Sequence, residues 1–119
     1  METNKERLEA HFKRNEFMWN LWVKNGVTAD TELTVNFQFY ASNKKNMENL
    51  TLKLENDGLK YNVRQTKTML FLKGWEIDTQ VKQKWTLGLL QAKTNRMFLM
   101  AVQVGVSLDG CGALLPKQL

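Results

Sequence analysis

A chain of 119 residues with 43% apolar and 24% charged content suits one soluble domain large enough for a single core. No run approaches the roughly 18 apolar residues of a membrane span, a lone cysteine excludes an internal disulfide, and the charged start (Glu2, Lys5, Glu6, Arg7, Glu9) leaves no apolar signal-peptide core. The expectation is a cytoplasmic protein that neither crosses nor binds a membrane. The net charge of +5 is lopsided, with eight Lys/Arg against nine Asp/Glu in residues 1–57 and nine against three in 58–119. A basic half points to an acidic partner, nucleic acid or protein, or else to a lysine-rich solvated face.

The first element is a helix from about Asn4 to Lys24. Thr3 and Glu6 form a capping box, and Asn25-Gly26 ends the pattern. Leu8, Phe12, Trp19 and Trp22 fall near one face, with Met18 and Val23 beside them. The two tryptophans are expected to pack on the domain, or alternatively on a second subunit. This gives an N-terminal helical segment at 1–26 and a domain at 27–119.

From Leu33 to Tyr40 the chain alternates, with Leu33, Val35, Phe37 and Phe39 on one side and Thr34, Asn36, Gln38 and Tyr40 on the other. That is a strand covered on one face. Ser42 or Asn43 then opens a helix with Met47, Leu50 and Leu54 inward, closed by Asp57-Gly58. Leu59, Tyr61 and Val63 form the next strand, and an apolar run from Met69 to Ile77 follows. Residues 81–93 read two ways: Val81, Trp85, Leu87 and Leu89 could alternate in a strand, while Leu87, Leu90, Thr94, Met97 and Ala101 suit a helix starting near Thr86. The helical start is preferred. Gly105 sits where a left-handed cap is wanted, and a short strand ending in a tight Asp109-Gly110 turn completes the chain.

The order helix, strand, helix, strand, strand, helix, strand predicts an α+β, ferredoxin-like βαββαβ sandwich with an additional N-terminal helix. Helices would cover one face of an antiparallel sheet and leave the other free. Catalytic chemistry finds little support. His11 and Cys111 are the only soft ligands, so neither a metal set nor a cysteine–histidine nucleophile is built, and no cofactor or catalytic residue is expected. Asp78 and Asp109 are a conceivable acid/base pair that nothing in the sequence brings together. Lys73-Gly74-Trp75-Glu76-Ile77 is a degraded version of the base-stacking strand of RNA-recognition motifs, with Glu76 where glycine or alanine belongs.

Taken together, Leu21-Trp22-x-x-x-Gly26, Val35-x-Phe37-x-Phe39-Tyr40, a helix closed by Gly58, Tyr61-x-Val63, the Trp75 strand, Thr94-x-x-Met97-x-x-Met100-Ala101-x-x-x-Gly105 and Leu108-Asp109-Gly110 carry a family pattern. Over residues 20–113 the chain resembles the bacterial regulator of ribonuclease activity B (RraB, ribonuclease E inhibitor B) family. That resemblance implies a ferredoxin-like fold and a protein, not an enzyme, that binds and inhibits an endoribonuclease of the ribonuclease E type, altering RNA turnover without a cofactor. Two departures stand out: Cys111 follows Asp-Gly where an aromatic is usual, and the chain is basic where well-known members are acidic. The expected contact region is the free sheet face with its rim at Trp75, Asp109, Gly110, Cys111 and Gly112, approached through Lys60, Arg64, Lys67, Lys73, Lys82 and Lys84. The alternatives are a direct RNA or single-stranded nucleic-acid binder, or a small immunity-type antagonist. The protein itself is expected to be a monomer or a homodimer.

Overall fold

A computed structural model describes residues 2–67 and 73–113. Helix α1 (Asn4–Lys24) is followed by strand β1 (Glu32–Ala41), helix α2 (Lys44–Asn56), strands β2 (Tyr61–Lys67) and β3 (Lys73–Lys84), helix α3 (Leu87–Val104) and strand β4 (Ser107–Ala113). Local chemistry sets most of these limits. The Thr3 hydroxyl accepts the Glu6 amide while the Glu6 carboxylate reaches back to Thr3, Asn43 caps α2 through the Asn46 amide, and Thr86 caps α3 through the Leu89 amide. Gly105 closes α3 at φ 71°. The helical start near Thr86 is therefore the one adopted, while β3 runs on to Lys84 just before it. Of the expected apolar run, residues 69–72 lie outside the described residues.

The strands form one antiparallel sheet in the order β2-β3-β1-β4. Along β1 the odd-numbered side chains Leu33, Val35, Phe37, Phe39 and Ala41 are buried and the even-numbered ones are partly or fully exposed. All three helices lie on the odd-numbered side. Leu50 and Leu54 of α2, Leu90, Met97 and Ala101 of α3, and Trp22 of α1 join those strand residues in a single core. Trp85, fully buried between β3 and α3, places its ring 6.4 Å from that of Phe37, and its indole N–H donates to the Leu33 carbonyl at 3.1 Å.

Helix α1 packs on α3 and β4, so its tryptophans serve this chain's own core. The stripe it turns inward differs from the expected one. Leu8, His11, Asn15, Met18 and Trp22 face the domain at steps of three and four, and Phe12 lies off that line. Val63 also departs from expectation. It is 39% exposed because β2 is an edge strand that the helices do not cover.

The expected tight turn at Asp109-Gly110 does not form. Strand β4 continues through it to Ala113, and the register slips by one residue where Gln38 opposes Gly110 but Phe39 opposes Leu108. Asp109 is thus the extra residue of a bulge, and Gly110 at φ 149° takes the backbone conformation that lets the strand go on.

Candidate functional site: the open sheet face

Because strand side chains alternate, register alone decides which residues share the uncovered face. They are Glu32, Thr34, Asn36, Gln38 and Tyr40 from β1, Gly74, Glu76, Asp78, Gln80, Lys82 and Lys84 from β3, Asn62, Arg64 and Thr66 from β2, and Ser107, Gly110 and Gly112 from β4. The floor is polar throughout. Hollows lie along it: one of about 750 Å³ at the β2 side among Thr34, Lys60, Asn62, Gln80 and Lys82, one of about 300 Å³ among Thr34, Asn36, Gln38, Gln80, Cys111, Gly112 and Ala113, and one of about 250 Å³ among Gln38, Glu76, Asp78 and Asp109.

Glycines make this half of the face shallow. Opposite Asn36 and Gln38, strand β4 presents Gly112 and Gly110, and a Cβ added to Gly112 would meet nothing within 4 Å. The Asn36 side-chain Oδ1 is buried without a hydrogen-bond partner among the described residues. An occupant of the trough that brings an N–H to this point would supply the missing bond. On the β3 side the close approach runs the other way. A Cβ on Gly74 would lie 2.1 Å from the Tyr40 hydroxyl, so the tyrosine ring lies across the glycine, and the absent side chain is the space the ring fills.

The charges on this face balance. Lys60, Arg64, Lys82 and Lys84 oppose Glu32, Glu76, Asp78 and Asp109, with Arg64 paired to Glu76 and Lys82 to Glu32 at 3.4 Å. Asp78 and Asp109 do meet at one hollow, where Asp78 accepts the Asn62 amide and Asp109 accepts the Ser107 hydroxyl instead of turn amides. Among the described residues no group of three or more histidine, cysteine or acidic side chains is placed to hold a metal ion.

The other predicted positions scatter. Trp75 pairs with Ala41 and Gln65, which places it on the helix side of the sheet, half-buried at the edge of the core. Cys111 also faces inward, opposite Phe37, and its thiol donates to the Asn15 side-chain oxygen at 3.4 Å. Burial pushes the thiol up to about 11, so it stays protonated and unreactive at neutral pH. Lys67 and Lys73 oppose each other at the ends of β2 and β3, away from the trough.

Sequence reasoning missed the polar seam that ties α1 down. The Asn15 amide donates to the Gln91 side-chain oxygen and to the Thr94 hydroxyl, both at 2.9 Å, while the Gln91 amide donates to the Phe12 carbonyl at 3.0 Å. One turn earlier His11 is buried with its ring edge-on to Phe98. A guanidinium can only donate, so Arg14, 2.9 Å from His11 Nδ1, fixes that nitrogen as an acceptor.

Burial first, and the Arg14 charge second, hold the His11 pKa below its usual value, against opposing contributions from the Leu108 backbone and Asp109. The unfolded chain therefore takes up this proton first as pH falls. Its contribution to stability is complete above about pH 6.5 and declines as pH drops towards the folded value. Thermal midpoints measured from pH 7.5 to 5 should fall in the native protein, with a shallower fall in His11→Gln. Equal slopes would remove His11 from this role.

Three helices on one side of a four-stranded antiparallel sheet, with a polar trough on the other, define an α+β protein with one open sheet face. Residues 13–113 match the family model of the regulator of ribonuclease activity B (RraB), and the chain belongs to that family. Comparison with curated proteins finds no match. Among the described residues no helix is long and apolar enough to cross a membrane.

Proposed function

We propose that this protein is a ferredoxin-like regulator that binds an endoribonuclease of the ribonuclease E type through its open sheet face and restrains RNA cleavage in the bacterial cytoplasm. Membership of a ribonuclease-regulator family over residues 13–113 carries this reading. After α1 the chain order is βαββαβ, and its two central strands, β1 and β3, are flanked by β4 and β2, which supports the ferredoxin-like assignment. A protein partner is favoured over RNA by the charges of the face. A base-stacking platform needs net positive charge and exposed rings. Here four cations meet four anions, Trp75 is on the far side, and the Tyr40 ring on this face lies across Gly74.

The contact set on this reading is Asp109, Gly110, Gly112, Arg64, Lys82 and Lys84, with Lys60 at the edge. Cys111 borders the trough beside Gly112, while Trp75, Lys67 and Lys73 lie outside it. Gly112→Trp puts a bulky ring over the trough at a position where a Cβ meets nothing within 4 Å. Titrated with a ribonuclease E-type enzyme, the native protein should bind and slow cleavage of a single-stranded RNA. Gly112→Trp should bind at least about tenfold more weakly with an unchanged melting temperature, tenfold being about 1.4 kcal/mol. Equal binding by the variant would move the contact off this face, and no binding by either would end the proposal.

A further inference from the structure

A groove of about 490 Å³ lies away from the open face, where the first half of α1 passes over the end of α3 and the start of β4. Its floor is apolar, made of Phe98, Ala101 and Val106, with Val102 left 41% exposed. Over this floor stand Arg7 and Arg14, both lining the groove and set two helical turns apart, about 10 Å along the axis. Neither has a carboxylate partner among the described residues. The four ion pairs found there join Lys44 to Glu48, Arg64 to Glu76, Lys82 to Glu32 and Arg96 to Asp57.

Arg14 is nonetheless held in place. It donates to His11 Nδ1 and, at 3.5 Å, to the Asp109 carbonyl, contacts that fix the fork without neutralising it. Glu2, at the rim, is the one acidic residue lining the groove. Guanidinium groups remain charged at any physiological pH and grip carboxylates through paired N–H donors. Two such groups above an apolar floor whose Val102 stands open recognise anions about 10 Å apart with something apolar between them.

We propose that this groove is a second binding site, for a peptide segment that carries two carboxylates three residues apart and apolar side chains between them. A peptide in polyproline II form makes one turn every three residues and rises about 3.1 Å per residue, so side chains three apart share one face about 9 Å apart, close to the spacing of the two arginines. The site meets the open sheet face only through the Arg14–Asp109 contact, and Arg7 and Val102 lie outside that face, so substitutions there test this groove alone.

The test uses the full ¹⁵N-labelled chain titrated with acetyl-Glu-Leu-Phe-Glu-amide, and with acetyl-Lys-Leu-Phe-Lys-amide as the charge-reversed probe. The acidic peptide should shift the amide signals of Ala10, Val102, Val106 and Ser107 saturably, and the lysine peptide should not. Arg7→Gln, an exposed position, should weaken binding about tenfold, as expected for a charge-assisted hydrogen bond. Val102→Glu, which puts a negative charge on the floor, should weaken it as well while leaving the melting temperature in place. Shifts that map elsewhere, that the lysine peptide reproduces, or that survive both substitutions would overturn the assignment.

Discussion

Trp85→Ala should cost about 3–5 kcal/mol of folding stability, read as a lowered urea midpoint by far-ultraviolet circular dichroism. The indole is completely buried where β3 hands over to α3, and its ring sits beside Phe37 at the centre of the sheet. Truncation leaves a cavity that the surrounding backbone cannot close, because β1 and β3 on one side and the Thr86-capped start of α3 on the other are fixed by their own hydrogen bonds. It also leaves the Leu33 carbonyl without the indole N–H. Domains of this size commonly hold 5–15 kcal/mol in all, so the variant should be marginal at 37 °C. Trp85→Phe separates the two contributions. It restores most of the volume and removes only the donor, for an expected loss of about 1–2 kcal/mol. A loss below about 1 kcal/mol for the alanine variant would show that the ring is not the hinge of this packing.

That Trp85 is so central was only half legible, and the reason is physical. Residues 81–93 satisfy two periodicities at once, and the tryptophan sits where they cross. The Thr86 side chain settles the matter, since a hydroxyl that accepts the Leu89 amide belongs to a helix start. Elsewhere, features carried by a few neighbouring residues were readable: the Thr3/Glu6 box, the Asn43 cap, the alternation of β1 and the Gly105 stop. Features that need a partner from far along the chain were not. Trp75 alternates with Ile77 just as a surface platform would, and only pairing with Ala41 reveals that it points towards the helices. The Asp109-Gly110 pair has the composition of a turn, and only the pairing of β4 with β1 turns it into a bulge. The trough depends on the same pairing. Gly110 and Gly112 count as an absence of side chains only once they are seen opposite Gln38 and Asn36.

The buried stripe of α1 was hidden for a different reason. Its inward positions keep a regular spacing from Leu8 through His11, Asn15 and Met18 to Trp22, but two of the five are polar and so dropped out of a search for apolar residues. A polar residue at a core position signals a bonded network as strongly as an apolar one signals a core.

Asn15→Ala puts that network to the test and should cost about 2–3 kcal/mol. Asn15 is 2% exposed, and its removal strips a donor from Gln91 and Thr94 and an acceptor from the Cys111 thiol, all within the α1–α3–β4 seam. Unmatched buried polar groups cost about 1–3 kcal/mol each when water cannot reach them, and partial relaxation keeps the sum below the simple total. A double-mutant cycle with Thr94→Val should return a coupling of at least about 0.5 kcal/mol, because the second change removes the same bond. Cys111 supplies a local readout. In the native protein the thiol is half-buried and held protonated by burial, so alkylation by iodoacetamide at pH 8 should be slow. If the seam holds α1 against β4, Asn15→Ala should speed that reaction well beyond what its global stability loss allows, since only α1 need lift to uncover the sulfur. An alkylation rate that merely follows global unfolding would mean that α1 and the sheet open as one unit. The helix would then be inseparable from the core, and not a lid fastened to it by Asn15.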